Sequence, residues 1–331
     1  MSSSRRIRIE VQEGNVLHFP ADVLVLKYAQ DLFGADLAVY QRLEEAKCAP
    51  ASLPKINEVQ MVPTRGLLGP DNVLFIGVAP LHLFRYREIR DFGYQALASL
   101  VDQTLQVQHV ALTIHGPGYG LDEVEAFESE LAGVVEAMAA SDCPASLRRV
   151  SFVERSHRRA ERLREVLDDL IPGGIIDRGR SQALDGLTEP PKDTLRTAGY
   201  NSAAKPRAFV AMPFADSMED VFHFGIQGAV NTAGFLCERA DLASFVGDVM
   251  EWVRQRICNA DIVIADLSTD NPNVYLEVGY AWGCGRPTIL LARHPAKLPF
   301  NVQSQKYLEY KSIKELEELL RKELRAIAAA S

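Results

Sequence analysis

The 331 residues are more than one ordinary core needs and suit two, and 47% hydrophobic with 24% charged residues is a globular mix. A net charge of -8 argues against a broad grip on DNA or RNA and leaves room only for a local basic pocket around a single phosphate group. Five scattered cysteines without a C-x-x-C pair argue against zinc and against a disulfide framework, and no apolar run is long enough to span a bilayer, so the expectation is a soluble cytoplasmic protein with no metal and no membrane partner.

In chain order, the first segment alternates strands (Ile7–Val11, Val23–Lys27, Asn72–Gly77, His109–Ile114, Arg149–Phe152) with helices (Leu37–Glu45, Arg87–Leu105, Glu123–Ala140, Ser156–Leu170). Such alternation predicts an α/β layer structure. Its sharpest element is the strand from His109 that runs into Gly116, Gly118, Tyr119 and Gly120 before an acidic helix start. Glycines without side chains let backbone N–H groups converge on an anion such as a pyrophosphate, although a tight turn that binds nothing has the same spacing. Residues 171–206 hold Pro-Gly-Gly, Glu-Pro-Pro-Lys and Lys-Pro, the composition of a linker.

The second segment, residues 207–331, opens with a strand into Met212-Pro213-Phe214, followed by a helix over Met218–Ala233, a short strand at Phe235–Glu238 and a helix around Asp248–Cys258. Then come the strand Ile262–Asp266, the helix Asn273–Trp282, the strand Thr288–Leu291 and an amphipathic helix over Ser312–Ile327. Asp266 ends a buried strand and Glu277 lies within two turns of the next helix start, at the sheet edge where ligands bind in α/β folds. Asn271 is placed to cap that helix and Pro272 suits its first turn, so the helix N-terminus favours an ionised Glu277. Breaking a ribose–base N-glycosidic bond builds positive charge on the anomeric carbon, which a carboxylate stabilises or captures as an ester. Glu277 and Asp266 are therefore the candidate catalytic pair. Met212, Pro213, Phe214, Asp216, Asp270, Asn273 and Gly279 are candidate substrate contacts, with Phe214 as a stacking platform and Asp216 alternatively a helix cap.

Residues 7–170 resemble the macro domain family of ADP-ribose binders. The resemblance rests on Gly14-Asn-Val together with Ala21-Asp-Val-Leu-Val25, on Leu32-Phe-Gly-Ala-Asp36, on Val73–Pro80 and on Gly116-Pro-Gly-Tyr-Gly120. It implies that residues 1–170 form a macro-like mixed sheet in which Asp22 meets the adenine amino group while Gly34, Gly116, Gly118, Tyr119 and Gly120 hold the diphosphate. Leu26-Lys-Tyr-Ala29 stands where that family's hydrolases carry Asn-Ala-Ala-Asn, so the resemblance implies binding of an ADP-ribose-like ligand rather than its cleavage.

Residues 207–291 resemble the nucleoside 2-deoxyribosyltransferase family and TIR-like NAD-cleaving domains, through Ala211-Met-Pro-Phe214, Ala260–Asp266 and Asn273-Val-Tyr-Leu-Glu-Val-Gly-Tyr-Ala281. That resemblance makes Glu277 the catalytic glutamate and implies a flavodoxin- or Rossmann-like parallel sheet. Val253 stands where some relatives carry an aspartate, which leaves the group that handles the departing base unassigned. Together the segments predict two three-layer α/β domains and an N-glycosidase whose substrate is NAD or a related nucleotide. The enzyme is expected to need no separate cofactor and to form a homo-oligomer, and the domain pairing resembles anti-phage effectors in which a macro-like sensor controls NAD destruction. Two alternatives are a salvage deoxyribosyltransferase and a non-catalytic nucleotide-binding protein.

Overall fold

The computed structural model describes residues 6–101, 105–177, 191–239 and 249–330. It divides into two compact units, Met1–Gly116 with Glu123–Ser202, and Pro117–Asp122 with Ala203–Ser331. Both are α/β, one built on a mixed seven-stranded sheet and the other on a parallel five-stranded sheet.

In the first unit, β1 (Arg6–Glu13), β2 (Ala21–Tyr28), β3 (Val59–Pro63), β4 (Pro70–Gly77), β5 (His109–Thr113), β6 (Arg149–Glu154) and β7 (Ile175–Asp177) lie in the order β3-β4-β2-β5-β6-β1-β7. The five inner strands run parallel, and β3 and β7 close the edges antiparallel. β2, β4 and β5 are continuous apolar runs because both faces of a parallel sheet are covered. The connecting helices are α1 (Gly34–Glu45), α2 (Tyr86–Ala98), α3 (Glu123–Ala140) and α4 (His157–Leu170). α2 ends at Ala98, seven residues before the predicted Leu105, and from its C-cap Ser99 the backbone tightens into short turns. Close contact of α2 with α3 depends on two glycines, since a Cβ on Gly133 would stand 2.0 Å from the Arg90 carbonyl oxygen and one on Gly93 2.3 Å from that of Glu130. Lys27 and Asp36 form a buried ion pair that ties β2 to α1.

The stretch read as a linker contains a short strand and a short helix. β7 pairs with β1, and α5 (Pro191–Thr197) buries Leu195 while the carbonyls of Leu195 and Ala198 accept from the buried Arg90. Both elements are too short to show a period, and backbone carbonyls rather than apolar faces hold the second. Residues 178–190 of that stretch lie outside the described ones.

In the second unit, β8 (Arg207–Ala211), β9 (Leu236–Glu238), β10 (Ile262–Asp266), β11 (Thr288–Arg293) and β12 (Tyr307–Tyr310) lie in the order β12-β11-β10-β8-β9, every neighbour pair parallel. The order reverses at β8, so the crevice between the carboxyl ends of β8 and β10 is the topological switch point, where such sheets bind ligands. One face buries Val210, Met212, Ile262, Ile264 and Tyr310 beneath α11 (Ile313–Ala330). That cluster also includes α6 (Asp216–Asp220), a π-helical turn over Val221–Gln227 and α7 (Gly228–Thr232). The other buries Phe209, Ala211, Val263 and Ala265 with α8 (Val249–Asn259) and α9 (Pro272–Gly283). β12 and the single-turn α10 (Phe300–Gln303) were absent from the predicted elements. Among the described residues no helix is long and apolar enough to cross a membrane.

Candidate functional site at the carboxyl edge of the parallel sheet

α9 begins as its sequence requires. Asn271 is the N-cap, its side-chain oxygen accepting from Asn273 N at 3.0 Å, and Pro272 fills the first turn. Val274, Val278 and Ala281 face the sheet. Glu277 lies beside that stripe, in line with Asn273 one turn before it and with Tyr280 and Cys284 after it. This flank faces α8, for Arg254 of α8 donates to the Tyr280 hydroxyl and its guanidinium lies 4.6 Å from that ring centre. Cys258 at the end of α8 is also joined to Cys284 by a disulfide, with Cα atoms 5.4 Å apart. That one bridge corrects the expectation from cysteine spacing; the two residues are 26 positions apart and meet only because the ends of α8 and α9 coincide. Helical side chains lean toward the N-terminus, which aims Glu277 at the carboxyl edge of the sheet.

Burial pushes the Glu277 carboxyl up to about 7, with no hydrogen bond or ion pair among the described residues to pull it back. This reverses the expectation of a carboxylate kept ionised by the helix terminus. Glu277 is six residues into α9, beyond the turn over which the dipole acts, and desolvation wins.

The structure does not bring Asp266 to Glu277. Side chains alternate along a strand, so Asp266 follows Ile262 and Ile264 onto the α11 face, while Val263 and Ala265 meet α9. Asp266 is fully buried and both of its oxygens are bonded: Oδ1 accepts from Ser268 N at 2.8 Å and Oδ2 from the Tyr310 hydroxyl at 2.9 Å. Ser268 Oγ in turn accepts from Arg293 N at 2.9 Å. The aspartate thus ties the ends of β10, β11 and β12 together. Burial raises its carboxyl, and the bonds from Ser268 and Tyr310 oppose that rise.

The Met-Pro-Phe turn leaves β8 at the switch point. Met212 and Pro213 are buried, Met212 in the α11-side core, so neither presents a side chain to the edge. Phe214 is 45% exposed, open enough to meet a ring. Asp216 is exposed in the first turn of α6, whose N-cap is Ala215, so the capping expectation for Asp216 is not met. Spacing gave no hint of Arg239, one residue past β9, whose guanidinium lies 4.0 Å from the Phe222 ring centre and 4.9 Å from that of Phe214. Glu219 holds it at 2.9 Å and also meets His223 Nε2 at 3.1 Å. The His223 bond, with Arg239, brings the Glu219 carboxyl down to about 2 against the cost of burial. Arg239 Nη1 is buried without a hydrogen-bond partner among the described residues. The only sequence signal for Arg239 was its place immediately after a predicted short strand.

Asp270 lies on the other flank of α9, exposed, and lines a cleft of about 290 Å³ with Ser268, Tyr275, Arg293 and Lys297. Gly279 faces outward into open space, away from the Glu277 flank.

The positions expected to hold an ADP-ribose-like ligand are divided between the two units: Asp22, Gly34 and Gly116 fall in the first, Gly118, Tyr119 and Gly120 in the second. Asp22 sits at the amino end of β2, its Oδ2 accepting from the backbone N–H groups of Gln108 and His109 at 2.6 and 2.9 Å. Gly34 follows the carboxyl end of that strand, about 20 Å away at strand rise. The segment that follows β1 at the same edge as Gly34 holds Asn15, whose side-chain oxygen accepts from Leu17 N at 3.1 Å. Gly116 and Gly120 have the positive φ values glycine allows, 115° and 85°, yet both are buried. Pro117–Tyr119 is a 3₁₀ turn in which the Gly120 N–H bonds Pro117 O. Tyr119 O accepts from Arg256 at 3.1 Å, and Gly118 is half-buried within that turn.

No family model matches the chain, and no curated protein matches it. Among solved structures it is similar to a CMP N-glycosidase from Clostridium botulinum at 22% identity, over 35% of this chain and 98% of that one, with a TM-score of 0.28. It is also similar to Oceanobacillus iheyensis macrodomains. A mutant with ADPR matches at 16% identity over 49% of this chain and 93% of that one (TM-score 0.35), and a macrodomain with MES bound at 14% over 49% and 92% (TM-score 0.34). What those proteins bind or cleave is a property of those proteins.

Proposed function

We propose that the second unit is a nucleotide N-glycosidase, with Glu277 as the carboxylate that meets the sugar. The observation that carries this reading is a desolvated glutamate without a partner among the described residues, leaning toward the switch point of a parallel sheet. A carboxyl poised near 7 is ionised in half the molecules at neutrality, and an electron-poor sugar beside it draws the remainder into the charged form. As the C1′–N bond breaks, its electron pair leaves with the base, and the Glu277 carboxylate either screens the cation or closes on C1′ as an ester that water then opens. Nicotinamide suits this site as leaving group because its ring nitrogen is already cationic and takes the pair without a proton, so NAD or a close derivative is the favoured substrate class. Phe214 offers a ring face for the base. Arg293 and Lys297 in the cleft beside Asp270 favour a phosphate-bearing substrate over a free nucleoside, which weighs against the salvage alternative.

The test is incubation of the protein with NAD, NADP, CMP and a set of deoxynucleosides, with chromatography of the free base. Base release from a nucleotide, reduced at least roughly 10²-fold by Glu277→Gln, is the expected result. If the unaltered protein releases no base from any of them, the reading fails.

A further inference from the structure

A second cavity, unrelated to the glycine loops and independent of the proposed glycosidase, opens at the β3–β4 edge of the first unit. It measures about 510 Å³, within the range of small-molecule sites. Its walls are the carboxyl end of β4 (Ile76 to Ala79), the turn before β3, one side of α2, and Tyr200 from the segment after α5. Ile56, Val59 and Tyr200 are 46%, 41% and 48% exposed and all three line this one concavity, so apolar surface that a folded unit normally hides is gathered around a space of ligand size. Phe84 and Phe92 lie deeper in the wall.

The charges on the wall are mostly negative. Glu88, Asp91 and Glu136 line the cavity against a single guanidinium, Arg90. Arg90 is already engaged, for it pairs with Glu136 at 3.0 Å, donates to the carbonyls of Leu195 and Ala198 at 2.9 and 2.7 Å, and stacks 4.3 Å from the Tyr200 ring centre. Glu88 accepts from Arg85 N at the helix start. That leaves Asp91 as the carboxyl best placed to serve a guest. Burial raises it above the usual carboxylate range, the neighbouring Glu88 and Glu136 add to the rise, and Arg87 and Arg90 only partly offset it. A cation beside Asp91 would relieve this tension, whereas a phosphate would deepen it.

We propose that this cavity is a binding site for a small flat-ringed organic cation that carries no phosphate, its ring against Tyr200 and the apolar wall and its charge at Asp91. Such a site excludes ADP-ribose and every other polyphosphate by charge, so it serves a ligand different in kind from a nucleotide substrate.

Three probes of one shape separate ring from charge: tryptamine, the neutral 3-methylindole and the anionic indole-3-acetate, each titrated into the full chain by calorimetry. The expected result is sub-millimolar binding of tryptamine, at least tenfold tighter than indole-3-acetate. Asp91→Asn should remove that preference while 3-methylindole binds as before, and Tyr200→Ala should weaken tryptamine and 3-methylindole alike. Asp91 and Tyr200 are both exposed, so the variants are expected to keep the parental unfolding profile, checked by circular dichroism. Failure of all three probes at millimolar concentration, or equal binding of cation and anion, overturns the proposal. Neither result bears on base release by Glu277.

Discussion

Replacing Glu277 by glutamine should stabilise the protein, and by an amount that depends on pH. Burial raises this carboxyl from 4.5 to about 7. At 1.36 kcal/mol per unit, keeping it ionised in the folded state costs about 3 kcal/mol. Between pH 4.5 and 7 the native state holds a proton that the unfolded chain has lost, so stability falls as pH rises through that window and levels off above it. Glutamine never ionises and escapes this loss. Its own packing and amide terms are the same at every pH, so the difference between two pH values isolates the charge. The gain from Glu277→Gln should be about 2 kcal/mol larger at pH 8 than at pH 5, roughly 4–8 °C in melting temperature. Thermal and urea melts of both proteins at the two pH values measure it. The same titration predicts that base release by the unaltered enzyme climbs about tenfold per pH unit below 7 and flattens above. An equal stability change at pH 5 and pH 8 would refute the premise that this carboxyl is desolvated, and the proposed catalytic role would lose its physical basis.

Tyr310→Phe removes the hydroxyl that donates to the fully buried Asp266, and should cost roughly 1–3 kcal/mol in urea unfolding, the range for leaving a buried acceptor without its donor. Lys27→Met leaves Asp36 buried without its ion-pair partner and should destabilise the first unit by about 3–5 kcal/mol, whereas Lys27→Met with Asp36→Leu should recover most of that loss. If the double variant is no more stable than the single one, charge pairing is not what that contact supplies.

The second unit was legible wherever a long period or a cap was present. β10 matches its predicted span from Ile262 to Asp266, and α9 starts at Pro272 because Asn271 and Pro272 are a capping residue and a first-turn residue in the right order. β12 was not legible, since a four-residue strand carries too little pattern to stand out. That omission hid Tyr310, and with it the role of Asp266. In the first unit the sheet strands were readable but the glycines misled. A glycine cluster reports backbone freedom and not accessibility, and spacing alone does not show that Gly116 and Gly120 are buried. Asp22 lies apart from Gly34 for a simpler reason: an acid at the amino end of a parallel strand lies at the edge opposite the loops that follow the other ends.

Asp266 and Glu277 looked alike in sequence as two acids flanking one loop, and the structure separates them by what compensates their burial. The period of two turns Asp266 into the α11 layer, where Ser268 N and the Tyr310 hydroxyl meet its two oxygens and make it part of the scaffold. The period of 3.6 leaves Glu277 at the margin of its helix stripe, deep enough to lose water and without a donor among the described residues to replace it. A stabilised carboxylate of the first kind resists change. One of the second kind gains most when positive charge arrives, and a ribosyl cation forming at the switch point would bring such a charge.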